Sequence, residues 1–297
     1  MSNILLIGIS TLDIINQVDH YPKEDSEIRA VDQIIRCGGN ATNSAIVLQQ
    51  LGMTPFLLSK LADDTNASLV LAELTRRNID TSLCPIQKHS VTPTSYITSN
   101  TQNGSRSIIH YRNLNELSAD DFTGVELSNF DWLHFEARNC QQLEIMLQHA
   151  RRFNKPISIE LEKNRDGIEL IMPYADILLI SRPFAISHGF DNAETCLKHF
   201  SNLFKDKIIT CTWGERGAWV YANTTITHQA AFNIDKPTDT HIETVIETLG
   251  AGDTFNAGFI SAIINNASPE QALHFATRLA ANKCQQSGFD RLIIPDL

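Results

Sequence analysis

An α/β fold, with a mainly parallel sheet covered by helices on both faces, is what this sequence predicts. Short apolar runs at 4–9, 55–60, 132–136, 156–161, 177–180 and 207–212 are separated by segments with apolar residues at helical spacing. Strands that alternate with helices imply parallel pairing. Two excursions, 17–36 and 94–111, break the alternation with extended, partly alternating stretches. Glycine-bounded turns open helices at Gly38-Gly39-Asn40 and at Gly250-Ala251-Gly252-Asp253.

The 297 residues are enough for one large domain or two, and for a substantial core. Hydrophobic residues make up 42% and charged residues 20%, the balance of a folded chain rather than a disordered one. A formal net charge of −10, with no Lys/Arg-rich block, argues against nucleic acid or anionic membrane as a partner. The apolar runs fall far short of a membrane span. The chain enters directly on Ile4-Leu5-Leu6-Ile7 with no basic stretch or cleavage site ahead, so a strand is expected rather than a signal peptide, and a cytoplasmic location with it. Cys37, Cys84, Cys140, Cys196, Cys211 and Cys284 form no Cys-x-x-Cys pair, so reduced, mostly buried thiols are expected in place of zinc ligands or disulfides.

Residues 4–9 read as a buried strand ending at Gly8, Ile9 and Ser10 and followed at once by Asp13. Ligands of open α/β sheets gather beyond the carboxyl ends of the strands, which makes Asp13 a candidate to bond a ligand hydroxyl. A loop carboxylate or helix cap is the plain alternative. Tyr21-Pro22-Lys23-Glu24-Asp25 is a polar turn, and 27–36 a short extended segment. The second excursion reads as a hairpin, 94–99 and 105–111, about Thr101-Gln102-Asn103-Gly104. Periodicity alone leaves open whether the excursions form a small separate sheet over a ligand site or edge strands of the main one.

Cys37-Gly38-Gly39-Asn40-Ala41-Thr42-Asn43 opens a helix that runs to Leu51 and stops at Gly52. Asn40 and Asn43 share a face at its N-terminus, where two amides can offer donors and acceptors to a polyol. An N-cap with a solvated neighbour is the alternative. A helix at 66–77 is expected to turn Leu69, Leu71 and Leu74 inward. The strand 207–212 ends in Trp213-Gly214-Glu215-Arg216-Gly217-Ala218, which by itself reads as a hairpin turn. A helix at 269–284 carries Ala272, Leu273, Ala276, Leu279 and Ala280 in phase.

The stretch Glu247-Thr248-Leu249-Gly250-Ala251-Gly252-Asp253-Thr254-Phe255 carries the most chemistry. Thr244-Val245-Ile246 reads as a strand leading into it, and Phe255, Phe259, Ile260, Ile263 and Ile264 as the buried face of the helix that follows. The small residues of the turn let a ligand approach the backbone. The first helical turn offers unpaired N–H groups to a phosphate oxyanion. Asp253 is placed to take the proton of a hydroxyl attacking that phosphate, and the helix terminus is expected to keep it ionised. Turn-shaping glycines with Asp253 as a cap are the plain alternative.

As a whole this string resembles the C-terminal signature of the ribokinase-like, or PfkB, carbohydrate kinases. Tyr21-Pro22-Lys23-Glu24-Asp25-Ser26-Glu27-Ile28-Arg29, the Gly38-Gly39-Asn40 helix start, Asn103-Gly104-Ser105-Arg106, Trp132-Leu133-His134-Phe135-Glu136, Glu160-Leu161-Glu162-Lys163 and Gly288-Phe289-Asp290 are similar to the ketohexokinase (fructokinase) branch. The resemblance covers nearly the whole chain. It implies a ribokinase-like three-layer fold, one kinase domain over 1–297, and a small β-sheet lid formed by about 14–37 and 92–113. It also implies ATP-dependent, Mg²⁺-assisted phosphorylation of a ketohexose, fructose at its 1-hydroxyl first among them. Asp13, Gly39, Asn40, Asn43 and Asp253 would then hold the sugar, with Asp253 as base. The amides of Gly250, Ala251 and Gly252 would stabilise the transferring phosphate. Arg106 would contact the nucleotide phosphates, and Gly214, Glu215, Arg216 and Gly217 would lie along the ATP. A homodimer through the lids would carry Asp25 to the partner's sugar site.

Three departures stand beside the resemblance. Ser181-Arg182-Pro183-Phe184-Ala185 occupies the place of the Asn-x-x-Glu motif that many family members carry near the metal, as in ketohexokinases, and leaves the metal ligands unassigned. Glu247 replaces the usual Asp at the head of the C-terminal signature, which bears on binding of a monovalent cation such as K⁺. The segment 233–242 is longer than its counterpart beside the adenine. A kinase of ribose, another sugar or a nucleoside is the alternative enzyme. A non-catalytic sugar or nucleotide sensor is the alternative of another class, and retention of Asp253 argues against it.

Overall fold

The computed structural model describes residues 1–232 and 246–297. Among them an eight-stranded sheet runs in the order Thr225–Gln229, Ala218–Ala222, Ile208–Thr212, Ile177–Ile180, Ile157–Leu161, Trp132–Glu136, Asn3–Ile7, Thr54–Leu58. The last six pair in parallel, and the hairpin of the first two adds an antiparallel edge.

Alternation within each strand builds two cores. Ile4 and Leu6 pack with Ala45 of the helix Asn40–Gln50, Leu74 of Thr65–Arg76, Phe259 of Ala251–Ile264 and Leu279 of Pro269–Cys284. Leu5 and Ile7 pack on the opposite side with Leu147 of Cys140–Ala150 and Phe200 of Ala193–Leu203. A strand covered on both faces has no solvated side, which is why these strands are continuous apolar runs. The helix Thr65–Arg76 buries Ala67, Val70 and Leu74. Leu69, expected inward, is 49% exposed, because the i, i+3, i+7 stripe is set by the two small or β-branched positions ahead of Leu74.

The two excursions form neither edge of this sheet. They make a separate four-stranded sheet, in the order Asp32–Gly38, Thr11–Val18, Thr94–Asn100, Arg106–Tyr111. Thr11–Val18 pairs in parallel with Thr94–Asn100 and antiparallel with Asp32–Gly38. Gly104, at a φ of 67°, turns the Asn103-Gly104 hairpin. The extended part of the first excursion is shorter than 27–36 suggested, with regular pairing only from Asp32.

The chain passes from floor to small sheet within a few residues, and Asp13 lies on the strand Thr11–Val18, neither in a loop nor at a helix cap. It returns through Gly38 and Gly39 into the helix Asn40–Gln50. Gly39 has a φ of 100°, and a Cβ there would sit 2.3 Å from the Ile9 carbonyl oxygen. Only glycine lets the backbone pass so close. Of the strand read at Thr244-Val245-Ile246, the first two residues lie outside the described residues, as does 233–242. Ile246 itself is not in a strand and donates its N–H to Cys284 O at 2.8 Å. No helix among the described residues is long and apolar enough to cross a membrane.

Candidate active site

Two helix N-termini meet at the carboxyl edge of the main sheet. Gly250 precedes the helix Ala251–Ile264 at a φ of 80°, and the Phe289 ring fills the space where its Cβ would be, 2.2 Å away at the closest atom. Beyond it Gly252 is exposed, with nothing within 4 Å of a Cβ placed there. Among the described residues the amides of Gly252 and Asp253 take no backbone partner, whereas Ala251 N donates to Thr248 O at 3.3 Å. The turn therefore presents open backbone N–H groups to an approaching anion.

The opposing helix, Asn40–Gln50, supplies the neutral polar groups. Asn43 Nδ2 donates to Asp253 Oδ2 at 2.6 Å, and Ser44 Oγ to Asp253 O at 3.3 Å. Asn40 Nδ2 and Asn256 Nδ2 both donate to Glu160 Oε1, at 3.1 and 3.0 Å. Each helix thus uses two residues three apart, Asn40 with Asn43 and Asp253 with Asn256, on one face of its first turns.

Acids dominate the surroundings. Burial raises the Asp253 carboxyl to about 7, against the Asn43 hydrogen bond that lowers it, and the charges of Glu162, Glu136 and Asp13 raise it further. The expectation of an ionised Asp253 is corrected here: desolvation and neighbouring acids outweigh a helix terminus, whose effect is modest. Burial, with Asp253 and Glu136 nearby, also holds Glu160 well above the usual carboxylate range. Asn43 Oδ1 and Glu160 Oε2 are buried without a hydrogen-bond partner. Such buried polar atoms, left unpaired by the protein, are where a polar group from outside can be received.

Asp13 closes the site from the small sheet. It is buried, accepts from Thr11 Oγ1 at 2.9 Å, and lies so near Gly38 that a Cβ there would be 2.1 Å from its Oδ2. Burial raises its carboxyl too. Arg106, on the strand Arg106–Tyr111, donates to Thr248 Oγ1 at 2.5 Å, beside the Gly250–Gly252 turn. Gly214, Glu215 and Arg216 form an exposed turn after the strand Ile208–Thr212, and Gly217 closes it, with Gln229 O 2.1 Å from where its Cβ would be. Asp25 sits apart from these groups in an exposed turn at a φ of 57°.

Glu136, Glu160 and Asn256 carry weight in the site although the sequence reading gave them no role. Glu136 Oε2 accepts from Ile9 N at 2.9 Å and its other oxygen from Arg138 at 3.1 Å. An acid at the carboxyl end of an otherwise apolar buried strand was the available signal. Among the described residues no group of three or more His, Cys, Asp or Glu could hold a metal ion.

A raised carboxyl pKa gives stability a definite pH dependence. Between 3.8 and about 7 the folded state holds a proton on Asp253 that the unfolded chain releases, so this contribution is full below 3.8 and lost as pH rises through about 7. Asp253→Asn should therefore be more stable than wild type by roughly 1–3 kcal/mol near about pH 8, with the gap closing toward about pH 4. Urea unfolding at a series of pH values checks this, and a gap independent of pH would contradict it.

A family model described as pfkB family carbohydrate kinase matches residues 1–296. The chain is 36% identical to the ketohexokinase of Mus musculus over 98% of each chain. It is 27% identical to the deoxyribokinase of Salmonella typhi, over 94% of this chain and 91% of that one. Arabidopsis thaliana ribokinase complexed with ribose and ATP superposes with a TM-score of 0.79 at 18% identity, covering 99% and 96% of the two chains. Ribokinase from Thermotoga maritima does so with a TM-score of 0.78 at 22% identity, covering 99% and 97%. The chain belongs to the pfkB family and is an ATP-dependent carbohydrate kinase of ribokinase-like fold.

Proposed function

We propose that this kinase phosphorylates a ketohexose, D-fructose to fructose 1-phosphate, with Asp253 as general base. The observation that carries the reading is the pairing of a buried cluster of acids and amides with an open helix N-terminus, joined at Asp253. Asp13, Asn40, Asn43 and the backbone at Gly39 receive the sugar hydroxyls. One hydroxyl is directed at Asp253 while the Gly250–Gly252 turn receives the phosphate under transfer. The proton passes to the carboxylate, the hydroxyl oxygen forms its bond to phosphorus, and the bond to the ADP oxygen breaks. Arg106 and the Gly214–Gly217 turn hold the nucleotide on this reading, and Mg²⁺ offsets phosphate charge when bound. Phosphoryl transfer rests mainly on such positioning and electrostatics. Similarity to ketohexokinase across 98% of both chains favours the ketohexose over ribose or deoxyribose.

Assembly belongs to the same proposal. Ile35, Ile14, Tyr96 and Ile109 stand in one cross-strand row on the small sheet, and Ile35, Tyr96 and Ile109 are 52%, 48% and 73% exposed. An apolar row of this kind suits a second copy of the lid, and a two-fold dimer would bring Asp25 toward the partner's site. Sedimentation should give a dimer that Ile109→Glu weakens; a wild-type monomer at about 10 μM, a concentration at which stable interfaces persist, would remove the proposal.

ADP release from MgATP with a panel of sugars tests the substrate, and phosphorus NMR locates the phosphorylated carbon. Fructose-dependent turnover giving the 1-phosphate is expected, with kcat reduced roughly 10²–10⁴-fold in Asp253→Asn. Turnover on ribose or deoxyribose but not fructose would overturn the ketohexose assignment.

A further inference from the structure

Behind the Gly250–Gly252 turn lies a lysine for which the chemistry above has no use. Lys283, in the last turn of the helix Pro269–Cys284, is 0% exposed. Lysines in this position ordinarily reach out to water with their ammonium group. Here Nζ stays inside, 3.5 Å from Glu247 O, 3.4 Å from Glu247 Oε2 and 3.4 Å from Gln286 O. It also lies 5.2 Å from the centroid of the Phe289 ring. Two carbonyls, one carboxylate and an aromatic face make up the surroundings of a desolvated cation.

The cluster is not neutral. Arg36 from the small sheet and Lys283 both pair with Glu247, which also accepts from Gly288 N at 2.8 Å. Two cations against one anion leave a net positive charge. Burial lowers the pKa of Lys283, and Glu247 offsets part of that effect.

Each of these groups bears on the turn. Glu247 is three residues ahead of Gly250, Phe289 presses on Gly250 where a side chain would otherwise be, and Thr248 between them is held by Arg106. The lysine therefore fixes both the chain entering the turn and the ring on which the turn rests.

We infer that Lys283 is a positioning residue and the built-in cation of the phosphate-binding turn, joining the backbone of Glu247 to that of Gln286 and taking the place of a diffusible monovalent ion. The inference rests on the proposed function for the assignment of phosphate to this turn. Lys283 touches no substrate; it acts through the amides it sets in place.

The test uses the full chain in a buffer whose only cation besides Mg²⁺ is N-methylglucamine, with ADP release on fructose and the melting temperature measured together. Wild-type kcat is expected to be insensitive to added K⁺ or NH₄⁺. Lys283→Met, which keeps length and removes charge, should lose kcat roughly 10–100-fold with little change in sugar KM, as for displaced catalytic geometry. Added NH₄⁺ or K⁺ should restore part of the loss, and Lys283→Arg should retain more activity than the Met variant. Wild-type kcat in Lys283→Met would overturn the inference. So would a loss that no cation restores and that follows the melting temperature, or a wild type that itself requires added K⁺. Should the wild type turn over no fructose, the ketohexose reading fails, and the thermal shift produced by MgADP decides on Lys283. A shift smaller in Lys283→Met and recovered with NH₄⁺ supports the inference, and an unchanged shift overturns it.

Discussion

Asp253 is buried among other acids, and the side chain that holds its carboxyl is a neutral donor, Asn43, 2.6 Å away on another helix. The pair fixes how the helices Asn40–Gln50 and Ala251–Ile264 approach each other, since each offers its first turn to the other. Glu160 repeats the arrangement, with an amide from each helix on a single oxygen. Desolvation makes these hydrogen bonds matter more than surface ones, because the alternative is an unpaired buried charge. The same desolvation brings the Asp253 proton affinity to about 7, which suits the general-base role proposed for it.

The remainder of the fold supports that junction from three sides. Below, Glu136 and Glu160 are the last and the last but one residues of strands buried on both faces, so neither has freedom to move away. Above, the four-stranded sheet departs from the floor just after Ile9 and comes back at Gly38, which brings Asp13 near Asp253. Behind, Arg36, Glu247 and Lys283 tie that sheet to the turn ahead of Gly250. A buried ion cluster is weak evidence for stability, since its desolvation cost is large, and its value here lies in geometry.

Much of this was legible in the sequence because it rests on local rules. Apolar runs gave the main strands within a few residues, and the glycines marked turns where a side chain has no room, as at Gly39 and Gly250. The resemblance named the residues that the two helix starts bring together. What stayed hidden depends on tertiary surroundings. Helical spacing could not tell Leu69 from Leu74, since either fits a stripe until the packing partner is known. The Asp253 proton affinity was misjudged because it is set first by burial and then by Glu162, Glu136 and Asp13, which only the tertiary fold brings around it. Glu136, Glu160 and Lys283 were passed over for the same reason: each has a partner far away in the chain, Ile9, Asn40 and Glu247 respectively.

The pH dependence of kcat/KM for the sugar tests the central claim most directly, because it reports the proton on the free enzyme's base. The account predicts a one-proton rise with a midpoint near about 7, the value to which burial brings Asp253, and a plateau above it. In Asp253→Asn that limb should disappear along with most of the activity. A wild-type profile flat from about pH 5 to about pH 8 would contradict the account, since a base held protonated by burial cannot leave the rate unchanged across that range.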